Sequence, residues 1–196
     1  MMKSEKQIYT NNKMKTKVYR FCLMVVMAIV PLAISATTAY GSNDKDIVRN
    51  CTAAPNGEKR CSYALKKEYQ AVEHRISNKL LLLRPADDGV FVDSESRRAY
   101  ANTIRNILLS TLNDAEIAVI SRGKANCLNI KIGKDGKALL VEMVLGEDCD
   151  NIISQSHIKK VLKRVARVKA NGIRDLRVNQ YYDYYMSLVA TQHSVR

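Results

Sequence analysis

The residues best suited to chemistry are cysteines, and their spacing favours disulfides over a metal site. The chain has five of them, at Cys22, Cys51, Cys61, Cys127 and Cys149. A zinc site is built from close C-x-x-C pairs or from cysteines with neighbouring histidines, and neither arrangement occurs in this sequence. We therefore expect no metal and no cofactor, and we expect structural disulfides if the compartment is oxidising.

Nucleophilic catalysis would need a serine held beside a histidine, and one histidine suggests that arrangement. His157 follows Ser154 and Ser156, but no G-x-S-x-G segment or oxyanion loop accompanies them. The clustered carboxylates are more typical of turns and helix caps than of an acid–base pair. They are Asp87-Asp88, Glu147-Asp148 and Asp150. We expect no enzyme, and a small periplasmic hydrolase or nuclease is the alternative in the enzyme class.

The segment that begins at Met14 has the pattern of an export signal, and it sets the redox compartment. Basic residues precede an apolar run, Phe21–Ala36, and small residues at Ala39 and Gly41 suit a signal peptidase. We expect residues 1–41 to be a signal peptide, with Met14 as the true start. The apolar run is shorter than the roughly 20 residues of a spanning helix, which favours a cleaved signal. An uncleaved membrane anchor is the alternative. The predicted location is the periplasm of a Gram-negative type of envelope.

Removal of the signal would leave an even number of cysteines in an oxidising space. The four that remain permit three pairings, and proximity favours Cys51 with Cys61 and Cys127 with Cys149. In the chain-entropy model, a disulfide between Cys127 and Cys149 would close a loop long enough to stabilise the fold by about 3 kcal/mol.

The overall charge is basic and the apolar residues are mainly aliphatic. The net charge is +13, and it falls to +8 without residues 1–41, which contain six Lys or Arg and one Glu. Hydrophobic residues make up 46% of the chain, with no Trp and two Phe, which is enough for one aliphatic core. The positive charge favours acidic proteins, anionic membrane surfaces or nucleic acid as partners.

Residues 127–149 have the pattern of a β-hairpin with a cysteine at each end. Asp135-Gly136 favours a two-residue type I′ turn, which fixes the register of the strands. That register places apolar pairs on one face, namely Leu128 with Met143, Ile130 with Val141 and Ile132 with Leu139. The other face is mixed, with Asn129 opposite Glu142 and Lys131 opposite Leu140. One face of the hairpin is therefore expected to cover a core.

The remaining pattern predicts an α+β fold in which helices cover a small three-stranded antiparallel sheet. The predicted elements are a polar loop over residues 42–60, an amphipathic helix over 61–84, a helix from Asp93 or Ser94 to about Leu112, a short strand at Ile117–Ser121, the hairpin, a helix after Cys149, and a last strand over Val178–Ala190.

Two surfaces could recognise partners. The helix after Cys149 has a basic side, formed by Lys159, Lys160, Lys163, Arg164 and Arg167. Such a side is usually solvated, so we expect no nucleic-acid partner, and contact with a membrane only through an uncleaved leader. Binding of nucleic acid or anionic lipid by this side is the alternative. The last strand contains Tyr181, Tyr182, Tyr184 and Tyr185, two on each face. We expect one pair in the core and the other exposed on an edge strand, where a partner chain can add by β-augmentation. The alternative is that all four tyrosines pack between the sheet and a helix.

Several segments together resemble the C-terminal domain of the periplasmic TolA family. They are "YANTIRNILLSTL", "RGKANC", the hairpin with its Asp-Gly turn, Cys149 and the aromatic last strand, within a domain spanning residues 93–191. The family's long helical tether and N-terminal anchor are not matched here. The resemblance implies a docking domain for Tol–Pal envelope components, and an entry point for colicins or filamentous-phage coat proteins.

Overall fold

The computed structural model describes residues 45–53, 57–77, 83–86, 89–123, 125–150, 152–177 and 179–188. The expected signal peptide, residues 1–41, lies outside the described residues. No helix in the described ranges combines the length and apolar character needed to cross a bilayer.

Six strands form one sheet. Its strands are β1 (Ile47–Ala53), β2 (Lys59–Leu65), β3 (Arg84–Pro85), β4 (Cys127–Ile132), β5 (Ala138–Gly146) and β6 (Gln180–Ser187). Their order across the sheet is β1-β2-β5-β4-β6-β3, with every pair antiparallel except the parallel β3–β6 pair. The prediction of a small three-stranded antiparallel sheet is therefore wrong, because β1, β2 and β3 extend the predicted sheet on both sides.

The helices agree with the sequence patterns in part. They are α1 (Lys66–Ser77), α2 (Ser94–Leu109), α3 (Asp114–Arg122), α4 (Glu147–Asp150) and α5 (Gln155–Val165). Asp93 is the N-cap of α2, and its side chain accepts a hydrogen bond from the Ser96 N–H, as the start signal predicted. The short strand predicted at Ile117–Ser121 is wrong, because Asn113 and Glu116 form a capping box that begins α3 there.

Most of the described part of the predicted loop belongs to strands. Residues 42–60 were expected to be polar loop, but β1 and β2 pair directly from Ile47 opposite Leu65 to Ala53 opposite Lys59. β2 then pairs with β5, which links this first hairpin to the central one. The predicted helix over 61–84 is accordingly shorter, since its first residues belong to β2.

The central hairpin has the predicted register but a different turn. Leu128 lies opposite Met143 and Ile130 opposite Val141, as expected, but the register shifts at Ile132, which pairs with Ala138. Gly136 has a φ of 77° and donates its N–H to the Gly133 carbonyl. A three-residue loop with a glycine in the left-handed region has replaced the two-residue turn, and a bulge restores the register.

The two faces of the sheet are covered differently. The helical face, which we define as the face covered by α2, α3 and α5, contributes fully buried residues such as Leu128, Ile130 and Met143 to the main core. The opposite face, here called the second face, has a smaller apolar cluster in which Val72 of α1 packs near Leu140. The main core therefore lies between the sheet and three helices.

One of the two favoured disulfides is formed. Cys51 and Cys61 are directly opposite each other in the β1–β2 ladder, with their Cα atoms 4.0 Å apart, and they form a disulfide inside the main core. The expected Cys127–Cys149 disulfide is not formed, and both residues are buried thiols. Cys149 belongs to the main core and accepts a hydrogen bond from Asn126 Nδ2 at 3.0 Å. Cys127 instead alternates with Leu128 along β4 and points to the second face.

Candidate docking groove

The tyrosines of β6 divide between the two faces as their alternation predicted, but only one of them is exposed. Tyr182 and Tyr184 are buried in the main core, and Tyr181 is buried in the small cluster of the second face. Tyr185 is 57% exposed. The expectation of an exposed pair is therefore met by a single residue, because α1 and the segment at Leu83 cover Tyr181.

The outer side of β6 is paired only at its beginning among the described residues. β3 pairs with Gln180 and Tyr181, and the Ala86 N–H donates to the Tyr181 carbonyl at 2.8 Å. Backbone groups of alternate residues point to the same side of a strand, so those of Asp183 and Tyr185 point outward as well. The described residues provide no hydrogen-bond partner for these outward groups.

A groove of about 560 Å³ lies along this edge. One wall is the loop of residues 89–94 with Arg97 of α2, and the other is Asp183–Tyr185 of β6. Val92 on the loop is 61% exposed and faces the groove together with Tyr185. Two large exposed apolar side chains thus flank a strand edge whose backbone groups are available for pairing.

The floor of the groove is held by aromatic packing. The ring of Tyr184 makes edge contacts with Phe91 at 5.6 Å and with Tyr100 at 5.2 Å between centroids. Burial raises the pKa of Tyr184, and a hydrogen bond with Arg97 only partly offsets that rise. Three packed rings therefore fix the loop, α2 and β6 relative to one another.

The second face beside the groove carries charged groups. Lys131 Nζ lies 2.9 Å from Asp183 Oδ1 and 4.6 Å from the ring centre of Tyr181. Burial alone lowers the pKa of Lys131, but the hydrogen bond and charge of Asp183 outweigh it and raise the pKa. Burial raises the pKa of Glu142, and the nearby charge of Lys131 opposes this rise.

Cys127 lies next to the exposed tyrosine on this face. Burial raises the pKa of the Cys127 thiol, although a hydrogen bond with the Tyr185 side chain opposes the rise. A buried thiol with a raised pKa is a weak nucleophile.

His157 is paired with a carboxylate and not with a serine. His157 Nδ1 lies 2.8 Å and 3.0 Å from the two oxygens of Glu116, a residue that is 3% exposed. Burial tends to raise the pKa of Glu116, but hydrogen bonds from the Asn113 and Ser154 N–H groups and from His157 lower it overall. Ser154 caps α5, where its Oγ accepts from the His157 N–H. The His157–Glu116 pair joins α3 to α5, and Ser154 contacts it as a helix cap, through its N–H to Glu116 and its Oγ to the His157 N–H. Among the described hydrogen bonds, none joins a serine hydroxyl to the imidazole of His157.

The basic side of α5 is partly engaged inside the protein. Lys159 Nζ lies 2.7 Å from Asp46 Oδ2, and Arg164 donates to the hydroxyl groups of Ser110 and Thr111. Lys160, Lys163 and Arg167 are exposed. Within the described ranges, no group of three His, Cys, Asp or Glu side chains could hold a metal ion.

Comparison with solved structures gives a weak structural likeness. No family model matches the sequence, and no curated protein matches it. This chain is similar to the crystal structure of a DUF5043 family protein from Bacteroides uniformis, with 12% sequence identity and a TM-score of 0.45. The superposition covers 76% of this chain and 82% of the other chain.

Proposed function

We propose that this protein is an exported docking module that holds an extended segment of an envelope protein against the outer edge of β6. The observation that carries the proposal is the open edge at Asp183–Tyr185, flanked by the exposed side chains of Tyr185 and Val92. Backbone hydrogen bonds along such an edge supply affinity, and side-chain pockets beside it supply specificity.

The shape of the groove favours a single extended segment over the sheet of a second domain. The loop of residues 89–94 stands opposite the β6 edge, so the incoming chain lies between two walls. A terminal or otherwise unpaired segment can enter this space, whereas a strand within a sheet would bring its neighbours against the loop. Tyr185 then serves as an amphipathic anchor, the kind of residue that dominates binding energy at many interfaces.

The Cys51–Cys61 disulfide supports an exported protein in an oxidising compartment. Within that compartment we propose the periplasm as the location, and Tol–Pal components as the first partners to test. Colicin domains and filamentous-phage coat domains are the second group. The resemblance of sequence segments to the TolA family motivates this choice of partners, and the docking role itself depends only on the groove.

The test compares Tyr185→Ala with Ile152→Ala, since Ile152 is a similarly exposed apolar residue outside the groove. The protein is exported, purified in its oxidised form and titrated with purified Tol–Pal components, then with the colicin and phage domains. Loss of Tyr185 should weaken binding roughly tenfold or more, while the Ile152 variant binds like the wild type. Equal binding by both variants, or no binding to any of these proteins, would overturn the proposal.

A second variant separates the backbone contact from the side-chain contact. Because the Tyr185 N–H points outward, Tyr185→Pro removes a donor that β4 does not use. If the partner adds as a strand, Tyr185→Pro should bind more weakly than Tyr185→Ala at equal stability. Identical affinities of the two variants would show that the partner contacts only the tyrosine ring.

A further inference from the structure

A second recognition surface lies away from the groove, where α1 begins beside α5. A cleft of about 390 Å³ is lined by Lys45, Lys66, Lys67 and Lys163, which come from three separate parts of the chain. All four lysines are exposed. The fold thus gathers ammonium groups that the sequence separates by more than a hundred positions.

None of these four lysines has an ion-pair partner among the described residues. Two carboxylates also line the cleft, but Asp46 is already bound to Lys159, which leaves Glu68 as the acidic group available to the lysines. Like charges around one cleft repel each other unless an anion is bound, so the arrangement suits a ligand with clustered negative charge.

We propose that this lysine cleft binds the phosphate groups of an anionic lipid surface. Lysine is a common phosphate ligand that acts as a point charge, and juxtamembrane lysines bind anionic lipid headgroups additively. The cleft, of about 390 Å³, gathers the positive charge of four lysines at one place. A nucleic-acid duplex instead requires positive charge that follows the backbone over many phosphates.

The position of the cleft in the chain supports a membrane as the source of the phosphate groups. The apolar run of the leader ends at Ala36, nine residues before Lys45. Nine extended residues span at most about 30 Å. An export signal over residues 1–41 would therefore bring Lys45, at the edge of the cleft, close to the headgroup layer.

The test uses charge-matched variants of the exported protein. Lys66→Glu with Lys67→Glu changes two lysines of the cleft, and Lys160→Glu with Arg167→Glu makes the same change in net charge on exposed residues outside the cleft lining. Binding is measured by co-sedimentation with vesicles of phosphatidylcholine, with and without phosphatidylglycerol. Each variant keeps the N-terminus of the wild type. Any apolar contribution of that segment to vesicle binding therefore appears equally in both vesicle types.

The cleft pair should weaken binding to the anionic vesicles at least about tenfold, while the outside pair stays close to the wild type. Glu68→Gln should strengthen binding, because it removes the carboxylate that competes for the lysines. Equal loss in both pairs would mean that net charge alone attracts the protein, and would overturn the proposal. Absence of binding to anionic vesicles would overturn it as well. So would binding of a DNA duplex that the cleft pair abolishes, if the cleft pair leaves vesicle binding unchanged.

This proposal is independent of the docking groove, since the two sites share no residue. Tyr185→Ala should leave vesicle binding unchanged, and the cleft pair should leave partner binding unchanged. A variant that loses both activities would indicate misfolding, which a urea unfolding curve of the same preparation detects.

Discussion

The two faces of the sheet differ in what covers them, and the difference separates a closely packed core from a face with charged side chains. The helical face is dry: Leu128, Ile130 and Met143 have no exposed surface, and three helices pack over it. The second face is covered in part by α1 and carries Lys131, Glu142 and other polar side chains. The strand β6 is therefore fixed in the main core on one side, while on the other side Tyr181 is covered and Tyr185 is exposed.

Neighbouring tyrosines of β6 give the sharpest test of this comparison. Tyr184→Ala should cost about 3–5 kcal/mol of unfolding free energy, because its ring packs in the core against Phe91 and Tyr100. Tyr185→Ala should change it by less than about 0.5 kcal/mol, since that side chain is largely exposed. Urea unfolding of both variants gives the two values. Similar losses would show that the second face is as closely packed as the first.

The disulfide gives the next largest expected effect. Replacing Cys51 and Cys61 together by serine should cost about 2–3 kcal/mol, because the crosslink restricts the unfolded chain. Reductant should lower the stability of the wild type by a similar amount and leave the double variant unchanged. Further destabilisation of the double variant by reductant would reveal a second disulfide, and so contradict the separate thiols of Cys127 and Cys149.

Glu116 on the helical side should make stability fall in acid. Its folded pKa is lowered from the ordinary value of 4.5, so the folded state binds the proton less readily than the unfolded chain does. The stabilisation is complete above about pH 5 and is lost as the pH falls through the lowered folded pKa. Glu116→Gln should reduce the unfolding free energy at neutral pH and flatten its decline in acid. An unchanged slope would contradict this role.

Glu142 on the second face should have a smaller effect of opposite sign. Its folded pKa is raised, mainly by burial, so its ionisation opposes folding as the pH rises above 4.5. Glu142→Gln should therefore slightly increase the unfolding free energy at neutral pH and make no difference in acid. If the variant is less stable at neutral pH, an interaction of the ionised carboxylate with Lys131 outweighs the cost of burial.

The elements that the sequence predicted correctly are those set by local chemistry. The start of α2 follows from the cap at Asp93. The hairpin register was counted from a two-residue turn that is not formed, and it agrees over Leu128–Lys131 because a bulge compensates for the three-residue loop. The capping box at Asn113 and Glu116 was an equally local signal for α3, but the β-branched residues after it led to a strand prediction.

The elements that the sequence did not predict depend on distant partners. β1 has a weak pattern because much of it is polar, and it becomes a strand through pairing with β2. Alternation divided the tyrosines of β6 correctly, but burial of Tyr181 depends on α1 and Leu83, which come from elsewhere in the chain. The lysine cleft likewise brings Lys163 beside Lys66 through tertiary packing, so no window of sequence contains it.

The place of the disulfide in β1 also sets how the protein responds to mechanical tension. A pull on the chain ahead of β1 would peel that strand from β2, starting with Ile47 and Leu65. Four register pairs separate before the load reaches Cys51, where a covalent bond stops the peeling. From there the tension passes through Cys61 to Leu145 in the interior of the sheet. Tension applied at this end would thus separate only the first four of the seven β1–β2 residue pairs before the disulfide carries it.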